Sequence, residues 1–223
     1  MSRCLPRHTD RRSHRNTRPG PAARCAGYGA AVTAAPDLPC LLVAGAPASG
    51  KTVLGRALAG HLAAALLDLD VATAALTAVV AGLVSQQDLD SAALADATRA
   101  ARYETLTALA EDNLRVGRPA VLVAPFTAER QDPTAWSALS ARLAAAGGAP
   151  AMVWLRAEPD LLLRRLRSRA AERDRSKLID PTGFLDGMLL APPAVAHLPV
   201  DASLGPDRQC AEVLAVLPRP TVT

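Results

Sequence analysis

The sequence has 223 residues, 50% hydrophobic and only 3% aromatic, with four cysteines (Cys4, Cys25, Cys40 and Cys210) and no C-x-x-C pair. A core of this size buries roughly 70% of its unfolded surface, so it needs no disulfide or metal staple, and reduced thiols fit a cytoplasmic protein. The net charge of +4 sits in residues 1–37, where seven Arg face two Asp for +5; the rest carries −1, which argues against a nucleic-acid-binding body.

Residues 1–37, "MSRCLPRHTDRRSHRNTRPGPAARCAGYGAAVTAAPD", lack apolar periodicity and are rich in Arg, Pro, Gly and Ala. That is the composition of a disordered leader. The long charged region and the weakly apolar "CAGYGAAVTAA" argue against a secretory signal. No strongly apolar segment follows the Arg11-Arg12 pair. Two alternatives stand beside the plain leader: a tail for nucleic acid or a membrane surface, and a true start further downstream, for instance at Val32.

The body then alternates between short apolar runs and helical segments. Strands are predicted at Cys40–Ala44, Ala65–Leu69, Ala120–Ala124, Ala151–Leu155 and Ala196–Val200. Each run is nearly continuous in apolar residues, as a strand covered on both faces should be. Helices are predicted at Lys51–Ala64, Val71–Val84, Asp88–Val116, Pro133–Ala146, Glu158–Ala171 and Pro206–Leu217, with Gly147-Gly148 closing the fourth. The apolar run Val71 to Val84 is too short to span a membrane and reads as a buried or half-buried helix. Alternating β and α elements imply a parallel sheet with right-handed crossovers and a ligand at the carboxyl ends of its strands.

The first strand leads into "GAPASGKT", Gly45 to Thr52, which fits G-x-x-x-x-G-K-[ST]. Strand, glycine loop and helix is the context that this phosphate-binding motif requires. The backbone amides of Gly45, Ala46, Pro47, Ala48, Ser49, Gly50, Lys51 and Thr52 (Pro47 having none to give) form a cradle at a helix start, where the partial charge is positive. Lys51 is one of only two Lys beside 23 Arg. It supplies a compact point charge that a planar guanidinium does not reproduce. Thr52 can place its hydroxyl on Mg²⁺. ATP and Mg²⁺ are the expected cofactors.

"LLDLDV" places Asp68 and Asp70 where the second strand runs out. In an extended segment, residues two apart share a face. One carboxylate can then serve the metal side and the other can accept a proton from an acceptor hydroxyl; the plain alternative is two solvated loop acids or a helix cap at Asp70. The acid-bearing strand follows Lys51 by one helix only, and "AVLVAPFT" has no terminal acid, which argues against a motor-type ATPase. Near the C-terminal end, "RRLRSRAAERDR" spaces Arg165, Arg169 and Arg173 by four, one helical stripe. Read functionally, the stripe belongs to a lid at about residues 164–180 that neutralises charge on a transferred phosphoryl group. Read plainly, it is an ion-paired helix face. Arg99 and Arg102 in "RAARYE" read as core-edge salt-bridge residues near the substrate side.

In this order, "LLVAGAPASGKTVLGRALA", "LLDLDVA", "VLVAPFT" and "LRSRAAERDRSKL" resemble the small P-loop kinase-like ATP-binding proteins, often labelled AAA-family ATPases. They are similar to shikimate, gluconate and chloramphenicol kinases over about residues 39–217. The resemblance implies a three-layer P-loop NTPase fold with a five-stranded parallel sheet of order 2-3-1-4-5, helices on both faces and a helical lid. It maps Asp68 to the metal-side acid and Asp70 to the acceptor-side base. Ala48 departs from the pattern, since Gly is common there. The expected activity is transfer of the ATP γ-phosphoryl group to a small-molecule hydroxyl. The rivals are a nucleotide-dependent ATPase switch and a nucleotide or polynucleotide 5′-kinase.

Overall fold

The computed structural model describes residues 37–83, 92–169 and 190–217. The leader, apart from Asp37, lies outside them, as do Arg173 and the lid beyond Arg169. The elements in chain order are β1 (Leu38–Gly45), α1 (Lys51–Leu62), β2 (Ala65–Asp68), α2 (Leu69–Leu83), α3 (Ala92–Arg115), β3 (Ala120–Val123), α4 (Thr127–Gln131), α5 (Pro133–Ala145), β4 (Gly148–Arg156), α6 (Pro159–Arg169), β5 (Leu198–Asp201) and α7 (Pro206–Val216). The five strands run parallel in the order β2-β3-β1-β4-β5, as the resemblance implies.

The sheet is covered on both faces. Successive residues of β1 point to opposite sides. Cys40, Leu42 and Ala44 pack in one buried cluster with Leu106, Ala110 and Leu114 of α3 and Leu143 of α5. Leu41 and Val43 pack in the other with Leu54 and Leu58 of α1 and Val213 of α7. Full burial of each such Leu or Val contributes about 1.5–3 kcal/mol. This explains the continuous apolar run: from Cys40 to Ala44 no residue of the central strand meets water. Gly55 brings α1 close to the sheet, because a Cβ there would lie 2.5 Å from Val123 Cγ2.

Register sets the working edge. Val43 pairs with both Val123 and Val153, and Asp68 pairs with Val123. Asp68 therefore ends β2 level with Val43, two residues before β1 releases the glycine loop at Gly45.

Beyond shifts of two to three residues at the starts of β1, β4 and β5, three local expectations differ from the structure. Strand β2 stops at Asp68, and α2 starts at Leu69 instead of Val71. The cause is Asp68, whose Oδ1 accepts from Asp70 N at 3.0 Å and Val71 N at 3.4 Å. Asp68, not Asp70, caps the helix. The apolar α2 is also less buried than its composition suggests. It buries Leu69, Thr73 and Ala81, while Val71, Leu76, Val79 and Leu83 are exposed; Leu69 is the one large side chain that it buries. Finally, a short α4 precedes α5. Asp132 separates them: its amide donates to Ala128 O at 2.8 Å, and its side chain accepts from Thr134 N at 2.8 Å ahead of Pro133 in the first turn.

Candidate nucleotide site

The loop after β1 turns tightly around Ala46. Ser49 N donates to Ala46 O at 3.2 Å, and Lys51 Nζ donates to the same oxygen at 2.9 Å. A Cβ on Gly45 would lie 2.8 Å from Ser49 Oγ and 3.1 Å from Leu155 O, so only glycine fits there. Ala48 takes φ of 61°, the left-handed region, without the freedom of glycine. The α1 ladder begins with Val53 N on Gly50 O at 2.9 Å. The amides of Lys51 and Thr52 precede it and point out of the helix start, the standard position for an anion. Ser49 is fully buried, and its hydroxyl has no hydrogen-bond partner among the described residues.

The loop, Asp68 and Asp70 border one cavity of about 540 Å³, closed on another side by Arg165, Ser168 and Arg169 and at its end by Leu204 and Pro206. Burial pushes the Lys51 ammonium down to about 8, against the pull of Asp70 and Asp68, while Arg130 and Arg169 push the same way as burial. A cation held in such a site is short of negative charge. The unpartnered Ser49 hydroxyl, the helix-start amides and the Lys51 ammonium together form a donor set that fits the oxygens of a polyphosphate.

Thr52 Oγ1 donates to Asp68 Oδ2 at 2.8 Å. The other carboxylate oxygen of Asp68 caps α2, so this side chain is fixed at both ends. A hydroxyl beside one buried carboxylate fits Mg²⁺, which keeps several waters and takes only one or two carboxylates. Among the described residues no group of three or more His, Cys, Asp or Glu converges.

Asp70 lies in the first turn of α2, so the two acids do not share an extended segment. Both still border the cavity. Asp70 pairs with Arg102, Nη2 to Oδ1 at 2.7 Å, and Arg102 Nε donates to Thr73 Oγ1 at 2.8 Å. Arg169 is exposed and borders the cavity. Arg173 cannot be placed because it lies outside the described residues.

The AAA-domain family model matches residues 41–182, more than half of the chain. The chain belongs to the AAA-domain family. No curated protein matches it. Among solved structures, this AAA domain is similar to a candidate kinase from Chloroflexus aurantiacus, at 22% identity and a TM-score of 0.59, covering 82% of this chain and 96% of that one. It is also similar to a sugar kinase from a Janibacter species, at 14% identity and TM-score 0.53, over 80% of this chain and 93% of that one. The APS kinase of Mycobacterium tuberculosis, solved with AMPPNP and APS, gives 21% identity and 0.52, over 81% and 97%. At these identities the shared property is the P-loop kinase-like fold.

Gln209, which lines the cavity of the AAA domain, and Tyr103 and Arg130, which lie outside its lining, were not singled out by sequence. Tyr103 holds the start of α4, its hydroxyl accepting from Phe126 N at 3.0 Å, with the rings edge to face at 5.9 Å. Burial pushes this phenol up to about 12. Arg130 is buried on α4, and burial lowers its pKa. Gln209 is buried, with its side-chain amide on Asp201 O and Leu204 O, both at 3.0 Å. The only sequence signals were a Tyr within an Arg-rich helical stretch and polar residues flanked by apolar ones. Neither points to a site without the third dimension.

Proposed function

We propose that this AAA domain is an ATP- and Mg²⁺-dependent phosphotransferase acting on a small-molecule hydroxyl. The observation that carries the reading is the meeting of Lys51, Thr52 and Asp68 at the mouth of one cavity, with the Thr52 hydroxyl on the Asp68 carboxylate. In this reading the amides of the Gly45–Thr52 loop and the Lys51 ammonium bind the β- and γ-phosphates. Thr52 and Asp68 would hold Mg²⁺, which supplies charge neutralisation on the phosphate oxygens. Asp70, steadied by Arg102, accepts the proton of the acceptor hydroxyl. The acceptor oxygen forms a bond to the γ-phosphorus, the bond to the bridging oxygen breaks, and ADP leaves with that electron pair. Arg169 and Arg173 balance the charge that spreads over the transferred group.

The kinase-like fold supports this reading, and the fold-mates named above are kinases. The buried free thiols of Cys40 and Cys210 suit a reducing compartment, and we place the protein in the cytoplasm. No helix among the described residues is long and apolar enough to cross a membrane.

The deciding experiment is a screen of metabolite and antibiotic hydroxyls for stimulated ADP release. One class of acceptor should raise turnover well above the basal rate and appear as a phosphorylated product by mass. Tight ATP binding with no acceptor stimulation, together with nucleotide-dependent capture of a partner protein, would replace the kinase reading with that of an ATPase switch.

A further inference from the structure

Arg165 belongs to the arginine stripe, yet it is not spent as a lid charge. From α6 its guanidinium reaches back across the cavity wall. Nη1 donates to Ser49 O at 2.6 Å and lies 3.5 Å from Ala48 O. Nη2 donates to Ala202 O at 2.7 Å. Among the described residues no carboxylate pairs with it. Both arms of the fork end on backbone carbonyls from segments more than a hundred residues apart.

The placement has a consequence for each segment. On the loop side the bonds fall on the carbonyls of the left-handed Ala48 and its neighbour Ser49. An alanine does not hold that conformation by its own preference. A charged donor on the Ser49 carbonyl fixes the peptide that follows, so the carbonyls face α6 and the amides at the start of α1 stay free for phosphate. On the other side, Ala202 opens the turn that leads to Leu204 and Pro206, the end wall of the cavity. Gln209 holds the same turn through Asp201 O and Leu204 O. A lysine in place of Arg165 would offer a single point of charge and not two diverging donors in a rigid plane.

We propose that Arg165 is a positioning residue that braces the phosphate loop against the β5–α7 turn, and that this brace substitutes for the glycine freedom missing at Ala48. The proposal rests on the kinase reading for its effect on nucleotide. It divides the stripe: Arg165 acts on ground-state nucleotide binding through the loop, and Arg169, one turn further, acts on the transferred charge.

The test uses Arg165→Met, Arg165→Lys and Ala48→Gly, singly and combined, in the full chain. The readouts are affinity for a non-hydrolysable ATP analogue by calorimetry, basal ATP hydrolysis at saturating ATP, and melting temperature without nucleotide. Arg165→Met should weaken analogue binding by about ten- to hundredfold, the range of one charged hydrogen bond. Arg165→Lys should fall between it and wild type, and saturated hydrolysis should change much less than affinity. Adding Ala48→Gly to either Arg165 variant should recover several-fold in affinity, because glycine holds the left-handed turn unaided. Wild-type affinity with lost hydrolysis would make Arg165 a charge-stabilising residue and overturn the brace. Absence of recovery by Ala48→Gly would overturn it equally.

The melting arm separates this proposal from the kinase reading. The Ala48 and Arg165 substitutions should be non-additive in the nucleotide-free protein. Additive shifts would remove the brace whatever the nucleotide result. A wild-type protein that does not bind the analogue would remove the kinase reading, and the melting arm would then decide the brace alone. If Arg165→Met fails to fold, Arg165→Lys carries both arms.

Discussion

The Thr52 hydroxyl donates to Asp68 Oδ2 at 2.8 Å, joining the first turn of α1 to the end of β2. The opposite oxygen of the same carboxylate caps α2. One side chain thus ends a strand, starts a helix and presents a carboxylate beside the phosphate loop. Its structural and chemical duties differ in what they require. A cap needs only an acceptor oxygen, whereas a divalent cation needs the negative charge.

Asp68→Asn separates the two duties. Asn caps helices about as well as Asp, so the melting temperature should move by no more than a few degrees. The Mg²⁺ concentration needed for half-maximal nucleotide turnover should rise by about tenfold or more. Asp68→Ala should in addition lose about 1 kcal/mol of stability with the cap. An Asn variant with wild-type Mg²⁺ dependence would take Asp68 out of the metal assignment.

Lys51 gives a pH dependence whose sign differs between free and bound protein. Its ammonium titrates near 8 in the free protein, lowered by burial from the ordinary value of 10.5. Between pH 8 and 10.5 the unfolded chain therefore holds a proton that the folded chain has lost. This group's contribution to stability rises with pH across that window. Nucleotide binding runs the other way. Phosphates hold the ammonium charged, so above pH 8 the complex carries more protons than the free protein. Affinity should be flat from about pH 7 to 8 and then fall, approaching tenfold per unit. Lys51→Met should abolish both slopes and cost about ten- to hundredfold in affinity at pH 7.5. Calorimetry across that range, with the melting curve at each pH, is the check.

Ala48→Gly is expected to stabilise the protein, an unusual direction for a glycine substitution. The left-handed conformation costs alanine about 1–2 kcal/mol. Part of that gain is offset by the extra chain entropy of glycine in the unfolded state, about 0.4–1 kcal/mol. The net should be a rise of up to a few degrees in melting temperature, with nucleotide affinity kept or improved. A clear fall would mean that the turn carries no strain at residue 48.

The framework was readable because its signals are local. Buried parallel strands are continuous apolar runs, and β1 shows why, since Leu41 and Leu42 face opposite helical layers that are both dry. The phosphate loop was readable because its residue types follow from chemistry at fixed offsets. What stayed hidden depends on distant partners. Nothing near Arg165 in sequence indicates that Ser49 and Ala202, 116 and 37 residues away, will take up its guanidinium. The start of α2 was misplaced by two residues because "LLDLDV" offers two possible caps. Asp68 is the one whose carboxylate meets both Thr52 Oγ1 and the first amides of α2.

Asp70 and Arg102 provide the test of the chemical step. The pair is short, 2.7 Å, but Asp70 is 74% exposed and Arg102 22%. Such a pair is worth at most about 1 kcal/mol to stability. Asp70→Asn should therefore melt within a few degrees of wild type and bind the ATP analogue with little change. If Asp70 accepts the acceptor proton, the same variant should lose about 10²–10⁴ in kcat with a genuine acceptor. Arg102 touches Asp70 and Thr73 and does not border the cavity. Arg102→Met should leave the carboxylate in place but unsteadied, with a smaller loss of about tenfold, and Arg102→Lys should restore part of it. The two variants combined should lose no more than Asp70→Asn alone, because the arginine acts only through the carboxylate. A multiplicative loss would give Arg102 its own contact with the acceptor, and wild-type turnover by Asp70→Asn would send the proton elsewhere.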